Sequence, residues 1–232
     1  MDTVRYKKKT FDYEKENLVV GHLPDISHDD AKELLFCVQD LFEEKGIKLY
    51  LGYGTLLGAI REGDFIKGDY DLDVYIKDEN LFFDSLGFFE ENGLKLVRAR
   101  PNLSYSFRYK GNKNCYIDVI IMGRLKSLWG IYCCKIGNYV TARYRVKNDT
   151  QIDFLGRKFD CAENPVELLK FWYGDTWNIP LSKAQKQYTY EEKSYHIYRR
   201  IKYYIFKYPL KNLLRVVLGG KGFDKVKTII QK

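Results

Sequence analysis

Residues 54–73 read GTLLGAIREGDFIKGDYDLD, and this stretch decides the fold. Gly52-Tyr53-Gly54 predicts a turn, Thr55 to Arg61 a short helix, and the loop through Gly68 leads to an acidic strand from Asp71 to Ile76. Successive side chains of a strand point to opposite faces, so Asp71 and Asp73 project together while Leu72, Val74 and Ile76 enter the core. Asp69 continues the same alternation one step upstream. Two carboxylates about 4 Å apart repel by roughly 4 kcal/mol at an effective dielectric near 20, so such a pair is expected around a cation. The stretch reads as a Mg²⁺ site, with Mn²⁺ as the substitute ion.

Working outward, the punctuation alternates helix and strand. Upstream, Ser27 and Asp30 form a capping-box-like start to a helix with Leu34, Val38, Leu41 and Phe42 on its apolar face, ended by Gly46. Ile47–Leu51 (IKLYL) then reads as a buried strand. Downstream, a helix is expected from Asn80 to Glu91, closed by Gly93, before the strand LKLVRAR. LSYSFRYK and NCYIDVIIM flank the polar turn GNKN as a hairpin. Asn164-Pro165 with Glu167 opens a last helix that stops at Gly174. Together these predict an α+β sheet domain with flanking helices.

The second hairpin strand carries Asp118 among Tyr116, Ile117, Val119, Ile120 and Ile121. An ionised carboxylate in such a setting costs several kcal/mol unless compensated. With no basic partner evident in the motif, a cation shared with Asp71 and Asp73 is the expected compensation; an ordinary hydrogen-bonded core aspartate is the alternative. Three acids gathered from two strands suit phosphoryl or nucleotidyl transfer, where Mg²⁺ holds donor phosphates and polarises an attacking hydroxyl. The helix start serves the same chemistry, because backbone N–H groups of Gly54 and Thr55 can receive a phosphate and the Thr55 hydroxyl can add a donor.

Composition bounds the setting. The 232 residues are 45% hydrophobic and 16% aromatic, enough for one cored domain, or one domain with an appendage. No apolar stretch follows MDTVRYKKK and no run of about 18 apolar residues occurs, so neither a signal peptide nor a spanning helix is expected. The expected location is cytoplasmic. The five cysteines include no C-x-x-C and read as reduced thiols, while His22, His28 and His196 form no ligand motif. Charge is unevenly spread: of 39 Lys and Arg and 31 Asp and Glu, thirteen and three fall in residues 183–232, giving that segment +10 and the rest −2. Apolar residues recur there at near-helical spacing, with breaks at Pro209 and Gly219-Gly220. This predicts basic amphipathic helices that either pack on the core or meet a membrane surface or anionic polymer. Residues 1–182 and 183–232 are the expected domains.

G-T-L-L-G-A-I-R, Phe65-Ile66 and D-x-D-x-D together resemble the LicD family of phosphotransferases, which includes fukutin and fukutin-related protein. YIDVI around Asp118 is similar to the place of the family's third acid, and FLGRKFDCAENPVELLKFWYGDTW to its closing region, so the resemblance covers about Ser27 to Pro180. The chain departs from the family pattern at Asp64, Lys67-Gly68, Tyr70 and an additional Thr176. The resemblance implies the nucleotidyltransferase fold of DNA polymerase β, a mixed sheet with flanking helices. It also implies transfer of a phospho-alcohol group, phosphocholine or a polyol phosphate, from a CDP-linked donor to a hydroxyl of a glycan or lipid-linked glycan. Carried onto this chain, Asp71, Asp73 and Asp118 hold metal, and Asp118 also accepts the acceptor proton. Gly54 and Thr55 hold the diphosphate, Arg61 neutralises the leaving phosphate, and Asp69 binds substrate or a second metal or braces the loop. Tyr173, Asp175 and Trp177 are candidates for shaping a substrate pocket, with a core role the alternative for Trp177.

Two rival classes remain. A nucleotidyltransferase acting on protein or RNA would leave nucleoside monophosphate on its product, with the basic segment as the RNA contact. A non-catalytic scaffold would keep the fold and use the tail to assemble partners, which the presence of all the apparent acids disfavours. Nucleic acid is not the expected partner; a peripheral contact of 183–232 with the inner face of a membrane is.

Overall fold

A computed structural model describes residues 1–18, 27–100, 104–112, 114–121, 123–126, 132–136, 139–142 and 148–180. Nearly all belong to a unit spanning Met1–Asn178. The basic segment 183–232, and with it the expectation of amphipathic helices, lies outside the described residues.

The centre is a seven-stranded mixed sheet. In chain order its strands are β3 (Tyr50–Leu51), β4 (Leu72–Ile76), β5 (Leu94–Arg100), β6 (Ser104–Tyr109), β7 (Ile117–Ile121), β11 (Asp149–Phe154) and β12 (Arg157–Ala162). They lie side by side in the order β11-β12-β3-β4-β7-β6-β5. The β12–β3 and β4–β7 pairs are parallel and the others antiparallel. A hairpin of β1 (Asp2–Tyr6) and β2 (Lys9–Tyr13) and a separate sheet of β8 (Gly123–Lys126), β9 (Tyr132–Ile136) and β10 (Tyr139–Ala142) complete the strands. The expected mixed sheet is present; the N-terminal hairpin and the β8–β10 sheet were not foreseen.

Helix α1 (His28–Glu44) begins as its sequence dictates: Ser27 Oγ accepts from the Asp30 N–H at 3.1 Å, and Asp29 and Asp30 face the positive end of the dipole. Ala31, Leu34, Leu35, Val38 and Phe42 form its buried stripe. The ring of Phe42 stacks on Phe89 with centroids 4.8 Å apart. Two expectations are corrected. The strand predicted over 47–51 pairs only at Tyr50–Leu51, although Ile47 and Leu49 are buried, because burial without a neighbouring backbone makes no ladder. The helix predicted over 80–91 is two, α3 (Glu79–Asp84) and α4 (Leu86–Glu91), broken where the Ser85 hydroxyl donates to the Leu81 carbonyl at 2.7 Å.

Helix α2 (Tyr53–Arg61) starts two residues earlier than expected, with Gly52 as its cap and Gly54 already inside it. A side chain at Gly52 would put its Cβ 2.1 Å from Cε2 of Tyr75, so glycine alone lets β3 turn into α2 against that ring. Tyr53 follows at φ +30°, a conformation rare for a residue with a side chain. Its ring packs on Trp172 of α5 (Pro165–Tyr173), centroids 4.6 Å apart, so tertiary packing holds the strained turn in place. Pro165 opens α5 and Gly174, at φ +80°, ends it.

Candidate metal and phosphate site

Parallel pairing of β4 and β7 places Asp73 directly beside Asp118, and Asp71, two residues before Asp73, extends the same face. Asp71, Asp73 and Asp118 each offer a carboxylate oxygen, and these oxygens all lie within 4.8 Å of one another. Asp69 joins them: a Cβ on Gly54 would meet Asp69 Oδ2 at 2.9 Å and Asp73 Oδ2 at 3.6 Å. Gly54 is thus required by the close approach of two carboxylates, not by its φ.

The electrostatics record the crowding. Burial, then the charges of Asp69 and Asp118, push the Asp71 carboxyl up to about 7, against the pull of the Tyr116 hydroxyl, which donates to Asp71 Oδ2 at 3.1 Å, and of Arg98. Burial and then Asp71, Asp118 and Asp69 push Asp73 well above the carboxylate range, opposed by the Gly54 N–H at 3.4 Å. The Tyr70 phenol is raised to about 12, by burial first and then by the four aspartates. Hard oxygen donors, convergent and mutually destabilised, fit Mg²⁺ or Mn²⁺.

Asp118 corrects one expectation. It is 5% exposed, and its compensation comes from the chain itself. Arg98 Nη2 lies 3.3 Å from Oδ1 and 3.4 Å from Oδ2, Arg100 Nη2 lies 2.6 Å from Oδ2, and the Ser106 hydroxyl donates to Oδ1. Strand register explains the arrangement. Arg98 pairs with Ser106, Ser106 with Asp118 and Asp118 with Asp73, a row running across β5, β6, β7 and β4. Asp118 therefore needs no metal to be tolerated in the core, and its place beside Asp73 is what qualifies it for a ligand set. Sequence reasoning missed Arg98, Arg100, Ser104 and Ser106. The signal was present as R-x-R in LKLVRAR and S-x-S in LSYSFRYK, each with the period of a strand face.

On the opposite flank, Thr55 is 3% exposed and its hydroxyl oxygen accepts from the Asp73 N–H at 2.8 Å, bracing β4 against α2. The Gly54 N–H points at the Asp73 carboxylate. Arg61, at the far end of α2, lies about 10 Å along the helix from Gly54. It bonds Glu62 at 2.6 Å and the Trp177 carbonyl at 3.4 Å, so the structure does not draw it into the acid cluster. Trp177 itself packs on the core. Among the described residues, no helix is long and apolar enough to cross a membrane.

The mixed sheet thus gathers carboxylates from two adjacent parallel strands beside a glycine-led helix. The chain belongs to the LicD family: the profile of the LicD/FKTN/FKRP nucleotidyltransferase domain matches residues 46–164. No curated protein sequence matches significantly. Among solved structures, the chain resembles lincomycin-bound lincosamide antibiotic adenylyltransferase LnuA at 15% identity, covering 74% of this chain and 98% of that one with a TM-score of 0.47. It also resembles the antibiotic-resistance factor ANT(2'')-Ia in solution at 11% identity, covering 88% and 93% with a TM-score of 0.47.

Proposed function

We propose that this chain is a metal-dependent phosphotransferase that moves phosphocholine or a polyol phosphate from a CDP-linked donor to a hydroxyl of a cell-surface glycan. The observation that carries the reading is the convergence of Asp71, Asp73 and Asp118 within 4.8 Å inside the LicD domain. These three residues hold the ion. When bound, Mg²⁺ or Mn²⁺ supplies neutralisation of phosphate charge and polarisation of a phosphoryl oxygen. The N-terminus of α2 at Gly54 and Thr55 receives the diphosphate through the helix dipole and a Gly54 N–H that exchanges from the Asp73 carboxylate, and Asp69 fixes the loop around it. Asp118 faces the acceptor and takes the proton of its hydroxyl. Arg61 would have to leave Glu62 and the Trp177 carbonyl to offset charge on the leaving phosphate. The +10 segment 183–232 brings the catalytic unit to an anionic membrane carrying lipid-linked acceptor.

The test is release of CMP from CDP-choline, CDP-glycerol and CDP-ribitol, with and without lipid-linked glycan, in Mg²⁺ and in excess EDTA. Acceptor-dependent CMP release that EDTA abolishes is expected. Nucleoside monophosphate attached to the product, or transfer undiminished in EDTA, would sink the proposal.

A further inference from the structure

Both oxygens of Asp118 are already engaged, Oδ1 by Ser106 and by Arg98 at 3.3 Å, and Oδ2 by Arg100 at 2.6 Å and by the same Arg98 Nη2 at 3.4 Å. A cation shared with Asp71 and Asp73 needs one of those oxygens, and a guanidinium on the same carboxylate opposes it by like charge. One arginine must therefore give way.

The two are built differently. The Arg98 side chain is 15% exposed and anchored apart from Asp118: Nε donates to Ser106 Oγ at 3.0 Å, Nη1 to the Leu18 carbonyl at 3.3 Å, and the guanidinium lies over the Tyr116 ring, 5.4 Å from its centroid. The Arg100 side chain is 42% exposed and stands at the last residue of β5. Beyond Asp118 its hydrogen bonds go to Ser104 Oγ, and its Nη1 makes none among the described residues. Arg98 is a fixed positioning residue for Asp118. Arg100 can turn away at small loss of contact, and its planar fork then matches two oxygens of a phosphate.

We propose that Arg100 is an exchangeable phosphate ligand of the site: it pairs with Asp118 when no substrate is bound and moves to a substrate phosphate oxyanion when Asp118 joins the cation. This rests on the reading of the three acids as a divalent-cation site. The phosphate can belong to the donor diphosphate or to a phosphorylated acceptor, and Arg100 lies on the sheet flank opposite α2.

The experiment uses the full chain and reads binding. Mn²⁺ is titrated by electron paramagnetic resonance into wild type, Arg100→Gln, Arg100→Lys and Asp71→Asn, and the Mn²⁺-loaded proteins are then titrated calorimetrically with CDP-choline and with glycerol 3-phosphate. Arg100→Gln removes a competing cation, so it is expected to bind Mn²⁺ severalfold more tightly than wild type, a change that structural damage would not produce. It is expected to bind a phosphate probe roughly ten- to a hundredfold more weakly, the worth of a charge-assisted hydrogen bond. The probe that weakens identifies the source. Arg100→Lys keeps the charge and loses the fork, so it should show near-wild-type Mn²⁺ affinity with weakened phosphate binding. Unchanged or weaker Mn²⁺ affinity in Arg100→Gln, equal probe binding by Arg100→Gln and wild type, or no binding of either probe to wild type would overturn the proposal. If Asp71→Asn binds Mn²⁺ as wild type does, the cation reading falls and takes this one with it. If Asp71→Asn loses Mn²⁺ while Arg100→Gln matches wild type, the exchange alone falls.

Discussion

The acid cluster has two flanks made of different material. On the α2 side the contacts are mostly with backbone: a glycine whose missing Cβ admits Asp69 and Asp73, an N–H aimed at a carboxylate, and one side chain, a buried threonine whose hydroxyl oxygen accepts from the β4 backbone. On the β5–β6 side they are made by side chains: Arg98 and Arg100 of β5 and Ser106 of β6 bond Asp118, and Ser104 of β6 holds Arg100. Backbone groups held in a packed helix present one fixed geometry. Side chains at a strand end can exchange partners. The α2 flank is thus preformed around the carboxylates, and the β5–β6 flank is the one that can rearrange when a ligand arrives.

The largest effect should come from the acids both flanks serve. Asp73→Asn is expected to lower turnover by roughly a thousandfold, because the ion it helps hold supplies several kcal/mol of transition-state stabilisation. Its melting temperature without metal should not fall, since the substitution relieves the repulsion that burial and three neighbouring aspartates impose. Steady-state CMP release and a thermal melt check this, and a large loss of stability would make Asp73 a structural acid instead. Asp118→Asn should be rescued only in part by raised Mn²⁺, leaving a deficit of about 10²- to 10⁴-fold if the carboxylate also takes the acceptor proton. Full recovery would reduce Asp118 to a ligand.

The two flanks also differ in how far the sequence discloses them. Gly54, Thr55, Asp69, Asp71 and Asp73 fall within twenty residues, and a turn, one helix and a two-residue alternation suffice to predict where they point. Arg98, Ser106 and Asp118 become neighbours through lateral pairing of β5, β6 and β7. The hairpin of β6 and β7 was foreseen, but nothing local says that LKLVRAR pairs with LSYSFRYK in the register that brings Arg98 opposite Ser106, one residue past a bulge. The missing partner of Asp118 was therefore assigned to a metal when it lay eighteen and twenty residues upstream. Likewise, the break at Ser85 depends on one hydroxyl reaching back to Leu81, which amphipathic spacing does not show.

Paired substitutions separate the flanks. Gly54→Ala gains helix propensity of ~1 kcal/mol, yet its Cβ would press on Asp69 Oδ2 at 2.9 Å. The fold is expected to persist while affinity for Mn²⁺ and CDP-choline falls about tenfold, equivalent to ~1.4 kcal/mol of displaced geometry. Ser106→Ala removes a fully buried hydroxyl from both Arg98 and Asp118 and should cost about 1–3 kcal/mol in urea unfolding, with a smaller change at the α2 end. Equal effects of the two variants on stability and on donor binding would erase the distinction between the flanks.

The smallest expected effect is on pH and tests whether the cluster is strained as its surroundings imply. Without metal, burial and the neighbouring carboxylates hold the Asp71 carboxyl up at about 7, whereas in the unfolded chain it titrates near 3.8. Between those values the folded protein binds more protons than the unfolded one, so stability must fall as pH rises through this window. The contribution is present below about pH 4 and lost by the time pH passes 7, with the same sign for Asp73. Asp71→Asn does not titrate. The melting temperature of metal-free Asp71→Asn relative to wild type should therefore rise by a few degrees between pH 5 and pH 8, at roughly 2–4 °C per kcal/mol for a chain of this size. Metal binding needs the ionised acid, so adding Mg²⁺ or Mn²⁺ should raise the wild-type melting temperature more at pH 8 than at pH 5 and release protons into the more acidic buffer. A gap that stays flat with pH, with the variant the more stable at both ends, would show that Asp71 is ionised throughout. The strain would then lie with Asp73 alone, on the α2 flank, and the asymmetry between the flanks would be sharper than the distances show.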